Sequence, residues 1–204
     1  MKKMKTMQKI RKMKTTPIFM KNSKLRAFTY VLGAFLVLVS CSDDDENPIA
    51  VDEEEVITTM NVSLTSVGAT TVTLQSQDLD GDGPNAPEIN ISGSLAANST
   101  YSGTIELLNE TETPAEDITE EVAEEDEDHQ FFFSAGGALT DAAYNDADGN
   151  GNPVGLSFTL DTGDAGSGSL QITLRHEPKK PNDGSLSDAG GSTDIAQTFT
   201  VTVE

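Results

Sequence analysis

From residue 56 onward, apolar and polar positions alternate with a period of two. The runs are Val62 and Leu64, Val72 and Leu74, Ile89 and Ile91, Ile105 and Leu107, Phe131 and Phe133, and Phe158 and Leu160, followed by Leu170, Ile172 and Leu174 and then by Phe199, Val201 and Val203. Successive side chains of a β-strand point to opposite faces, so each run offers one apolar face to a core and one polar face to water. Clusters of Gly, Asn, Asp and Pro separate the runs, as turns require. Eight or nine such strands predict a mainly β fold, an antiparallel β-sandwich whose two inner faces make the core.

One segment departs from this period. Thr113-Pro114-Ala115-Glu116 has the form of a capping box with Pro at the first helical position, and Ile118 and Val122 then fall on one face. The spacing predicts a helix over 114–126. Its acids stand at i,i+4 as like charges (116/120, 117/121, 120/124, 121/125), each pair costing a few tenths of a kcal/mol, roughly, so that a counter-cation would relieve it. No internal repeat stands out. The Gly-rich stretch 161–169 and the tract 178–192 read as long exposed loops.

Charge divides the chain sharply. Ten of its 13 Lys and Arg residues precede Cys41 and no acid does, whereas residues 41–204 hold 3 basic groups (Arg175, Lys179, Lys180) against all 34 acids, a formal −31. Such a body repels nucleic acid and anionic membrane surfaces. The basic start, an apolar run from Tyr30 to Val39 and the sequence Leu38-Val39-Ser40-Cys41 read as a secretory signal with a lipobox. The run is shorter than the roughly 20 residues a spanning helix needs, which favours a removed signal over a retained anchor. Five of the six methionines lie within the first 20 residues, and a start at Met20 would leave a basic segment of ordinary length. The expected organisation is a signal peptide over 1–40, a tether over 41–55 with two acidic runs, and a sandwich over 56–204. Cys41 is the only cysteine, which excludes a disulfide framework; the ordinary reading is a free thiol, and the small residue before it with the apolar run upstream points instead to lipidation. Lipidation would tether the body to a membrane, and the run Cys41-Ser42-Asp43-Asp44-Asp45-Glu46 resembles the acidic export signal of Bacteroidota lipoproteins, which implies the outer membrane, lipid-anchored and surface-exposed.

Two turns carry carboxylates at calcium-loop spacing. Asp78, Asp80 and Asp82 with Gly83 reproduce the first half of a calcium loop, but position 12 is Ile89 and Pro84 and Pro87 block a following helix. Asp146, Asp148 and Asn150 with Gly151 form a weaker copy, for which an ordinary Asp/Asn turn is the readier explanation. The two histidines, His129 and His176, sit among Glu125, Asp128 and Glu177. The ordinary reading is a pair of surface histidines. The sharper one is a site for Zn²⁺ or another divalent transition metal, provided the two strands bring them together. No Gly-x-Ser-x-Gly, Walker lysine or His-Glu-x-x-His motif occurs, and no acidic pair singles itself out for glycoside hydrolysis. The expectation is a non-enzymatic protein.

The segments Ser76 to Pro87, Asn109 to Phe133 and Leu174-Arg175-His176-Glu177-Pro178, with the acidic start Cys41-Ser42-Asp43-Asp44-Asp45-Glu46, resemble small surface lipoproteins of Bacteroidota. These are commonly labelled "type 1 periplasmic binding fold superfamily" and occur alongside TonB-dependent outer-membrane receptors. The resemblance implies a solute-binding or receptor-accessory role and carries over no catalytic residue. The label names a two-lobed α/β architecture, whereas one helix among alternating strands keeps the expected fold a sandwich. The leading expectation is a binding module for cations or cation-bearing cargo, and its competitor a structural or adhesive module stabilised by calcium.

Overall fold

The computed structural model describes residues 55–81 and 83–204, so Cys41, the signal and most of the tether lie outside the described residues, as does Asp82. Ten strands form two antiparallel sheets. The larger contains β1 (Thr59–Thr65), β2 (Val72–Gln77), β3 (Glu88–Ile91), β4 (Thr100–Asn109), β7 (Leu139–Tyr144) and β8 (Ser157–Thr162), in the order β3-β2-β1-β4-β8-β7. The two-residue β5 (Glu116–Asp117) adds to the edge of β4. The smaller sheet is β10 (Ser192–Val203), β9 (Gly166–His176) and β6 (His129–Gly137), in that order. The fold is thus mainly β and consistent with the expected sandwich.

The inner faces are those the alternation marks, except on the edge strand β3, where Ile89 stays exposed. Met60, Val62, Leu64, Leu74, Ile105, Leu107, Phe158 and Leu160 are buried on the larger sheet, against Phe131, Leu170, Ile172, Leu174, Phe199, Val201 and Val203 on the smaller. Each such side chain contributes about 1.5–3 kcal/mol through loss of contact with water. The outward face of the larger sheet stays polar: the Asn61 amide donates to Glu106 and accepts from Gln75 across neighbouring strands. Near its centre Gly103 pairs with Phe158, whose ring lies where a Cβ on Gly103 would stand, 2.4 Å from Cζ. The glycine makes room for the aromatic ring inside the core.

Four sequence expectations need correction. The helix, α1, runs over Ile118–Glu124 and starts later than the capping box proposes. Glu116 and Asp117 are held in extended form by pairing with Asn109 and Leu108 of β4, and the Asp117 side chain caps the helix by accepting from Thr119 N at 3.0 Å. Ile118 and Val122 are buried as expected. The stretch 161–169 is mostly strand. Gly168 sits where a Cβ would stand 2.6 Å from Leu139 Cγ, and Gly137, at φ +67°, packs against the Ser167 carbonyl as the chain passes from β6 to β7 and so from one sheet to the other. Glycine here serves close approach, and only 163–165 remain as a turn.

The tract 178–192 is likewise no free loop. It buries Pro178 and Ala189, forms the short helix α2 (Leu186–Ala189) and lies over the outer face of the smaller sheet, where Asn182 donates to Gln130 Oε1 at 2.8 Å. This covering explains why Gln130, Phe132 and Thr173, which point away from the core, are buried too. Finally, β7 escapes the alternation because Leu139 is its only buried residue.

Candidate metal centre

His129 is the first residue of β6 and His176 the last of β9, and the two are direct cross-strand partners. Both take the parity of the inward-facing residues Phe131 and Leu174. Their rings therefore lie at the end of the core, stacked with centroids 4.7 Å apart and planes 27° apart. Both are buried, 0% and 7% exposed, so the surface-histidine reading gives way to a joined pair.

Two carboxylates complete the group, and neither is among the residues that sequence reasoning proposes. Glu55, four positions before β1, brings Oε1 to 2.9 Å from His129 Nε2, an ion-pair distance between side chains 6% and 0% exposed. Glu55 Oε2 is buried too, with no hydrogen-bond partner among the described residues. Asp194 comes from β10, where the pairing with β9 shifts between Thr193 and Ile195. The extra residue of such a bulge lets neighbouring side chains share one face, which sets Asp194 beside Ile195 on the inner side. One ligand atom from each of Glu55, His129, His176 and Asp194 lies within 4.8 Å of all the others.

The backbone orients this set. His129 Nδ1 lies 3.1 Å from the Glu125 carbonyl at the C-terminal end of α1. A carbonyl can only accept, so Nδ1 carries the proton, and in the neutral ring the lone pair belongs to Nε2, which faces the carboxylates. Burial alone would lower the pKa of His129. Glu55, the Glu125 carbonyl and Asp194 outweigh it and hold the imidazole above its ordinary value. Burial likewise pushes Glu55 up, but the two histidines prevail and leave it below the usual carboxylate range.

The other proposed ligands are placed differently. Glu125 serves His129 through its carbonyl, while its own carboxylate converges with those of Glu55 and Glu121. Asp128 and Glu177 are joined through the backbone, Glu177 N donating to Asp128 O at 2.7 Å, and both side chains are exposed, outside the histidine set. In the first Asp/Gly turn, Asp78 Oδ1 accepts from Asp80 N at 3.3 Å and Asp80 Oδ2 from Asn85 Nδ2 at 2.6 Å.

The second turn closes on itself. Asp146 accepts from Gly155 N and Ser157 N at 2.7 and 2.9 Å. Asp148 Oδ1 accepts from Asn150 N and Asn152 N at 2.9 and 2.8 Å, and Asn150 is exposed. The cation beside this turn is part of the protein. Lys180 Nζ, on a side chain 6% exposed, donates to the carbonyls of Asp126 and His129 and stands 3.4 Å from Asp148 Oδ2. A buried ammonium thus joins the 178–192 tract, the end of the acidic segment and the 146–152 turn.

Comparison of the chain with protein-family models, curated proteins and solved structures found no match. What this centre can do is therefore argued from its donors. Two imidazoles and two carboxylates are a fitting set for zinc or a similar borderline divalent ion. Bonds of about 2.0–2.2 Å place tetrahedral ligands about 3.4 Å apart, so atoms spread over up to 4.8 Å close up on binding while Glu55 and His129, at 2.9 Å, part slightly.

Proposed function

We propose that this protein is a secreted lipoprotein, anchored through Cys41 at the outer membrane and exposed at the cell surface, whose β-sandwich binds a divalent transition-metal ion, zinc by preference, as a non-catalytic module. The observation that carries the reading is the convergence of Glu55, His129, His176 and Asp194 from four separate segments on one buried point. Four protein ligands around one tetrahedral ion leave no open position for water or substrate, the arrangement of structural and storage sites. The strongly acidic body supports a cation as the cargo, free or carried by a chelate. Its resemblance to lipoproteins that accompany TonB-dependent receptors supports delivery to such a receptor.

Calorimetric titration of the secreted chain with zinc, copper, manganese and calcium in turn tests this. The expected result is one zinc ion bound with at least tenfold preference over calcium, and loss of that binding by at least 100-fold in His129→Ala and in His176→Ala. Zinc affinity equal in the wild type and both variants would sink the proposal.

A further inference from the structure

Glu55 also belongs to a second group. One of its carboxylate oxygens lies within 4.8 Å of one on each of Glu121 and Glu125, which α1 and its C-terminal cap present on the rim of the buried centre. Three carboxylates gathered together repel one another, and a cation between them relieves this.

Acids on a helix surface ordinarily point apart into water. Glu55 cannot do so, since its side chain is 6% exposed. Oε1 faces His129, and Oε2 is buried with no hydrogen-bond donor among the described residues. A carboxylate with one oxygen on a histidine and the other buried and unsatisfied is the form that a bridging ligand takes between two cations.

We infer that Glu55 bridges two cation positions: the inner one with His129, His176 and Asp194, and an outer one with Glu121 and Glu125 that takes a hard divalent cation such as calcium or manganese. The donor sets sort the ions. Imidazole nitrogens favour zinc at the inner position, whereas an all-carboxylate set with room for water favours calcium or manganese at the outer one. This inference rests on the zinc reading of the inner position.

The test is a sequential calorimetric titration of the secreted chain, zinc to saturation and then calcium, at about 0.15 M salt to screen diffuse attraction to the acidic surface. Two ions per chain are expected, one of each kind. The double variant Glu121→Gln, Glu125→Gln should keep zinc affinity within threefold and lose at least tenfold in calcium affinity, while Glu55→Gln should weaken both by at least tenfold. His129→Ala should remove zinc and leave calcium in place. A single ion per chain at saturation, or calcium binding unchanged in the double variant, overturns the bridge and leaves the inner site standing. Absence of zinc binding in the wild type would instead overturn the inner site, and with it the bridge.

Discussion

Lys180 shows how one side chain can settle the fate of several acidic residues. Its ammonium is held by two carbonyls and the Asp148 carboxylate, all in a nearly water-free setting. Replacing it by methionine keeps the volume and removes the charge, which takes the ammonium's bonds from the two carbonyls and the counter-charge from Asp148. The expected cost is about 3 kcal/mol, the lower end for breaking a buried pair, because Asp148 retains its bonds from Asn150 and Asn152. Urea unfolding of Lys180→Met measures it. Asp148 has a pH signature of its own. Burial would raise its pKa, but bonds from Asn152 and Asn150 and the charge of Lys180 outweigh this and hold it below its ordinary value. A lowered folded-state pKa adds stability that is fully present above the ordinary value and fades as pH falls through the lowered one. The stability gap between wild type and Asp148→Asn should therefore stay constant from neutrality down to about pH 4 and close below that. Acid titration followed by circular dichroism reads the gap directly, and a gap that widened with acid would contradict this assignment.

At the scale of elements, the strands with one buried face were legible in the sequence because period two is a direct image of the pleat, as in β1, β9 and β10. What was hidden depends on neighbours distant in sequence. The start of α1 was set by pairing of Glu116 and Asp117 with β4, the 161–169 stretch became strand because glycine admits close packing, and Phe132 was covered by a tract read as loop. The candidate site divides in the same way. His129 and His176 could be named from residue type, the first just after the acidic helix and the second at a strand end. Asp194 depends on a bulge, and Glu55 on how the chain enters β1, neither of which leaves a periodic trace. The Gly103 and Phe158 pair offers a test of close packing at this scale. Gly103→Ala puts a methyl into the ring and should cost about 1–3 kcal/mol, seen as a lower urea midpoint with an unchanged slope.

Across the whole molecule, the proposed inner centre ties together the entry to β1, the end of the β6 and β9 pairing where His129 meets His176, and the bulge of β10. An ion that binds only the folded state stabilises it by mass action, by about 2.7 kcal/mol at a concentration 100 times Kd. Zinc should therefore raise the melting temperature by several degrees, and the rise should vanish in Asp194→Ala if that residue is a ligand. Differential scanning calorimetry with and without zinc decides this. The sandwich should also remain folded without the ion, since the four ligands occupy one end of a core that Phe131, Phe158 and Phe199 fill. Phe199→Ala should lower stability by about 3–5 kcal/mol in either condition.

The burial of Lys180 has a practical consequence for solution chemistry. Beyond residue 55 the sequence holds only two lysines, and their side chains are 61% exposed at Lys179 and 6% at Lys180. An amine-acylating reagent applied to the native body should mark the first and spare its neighbour. Slow labelling of the second would then time the local opening of this corner, one residue serving as the clock and the next as its internal standard.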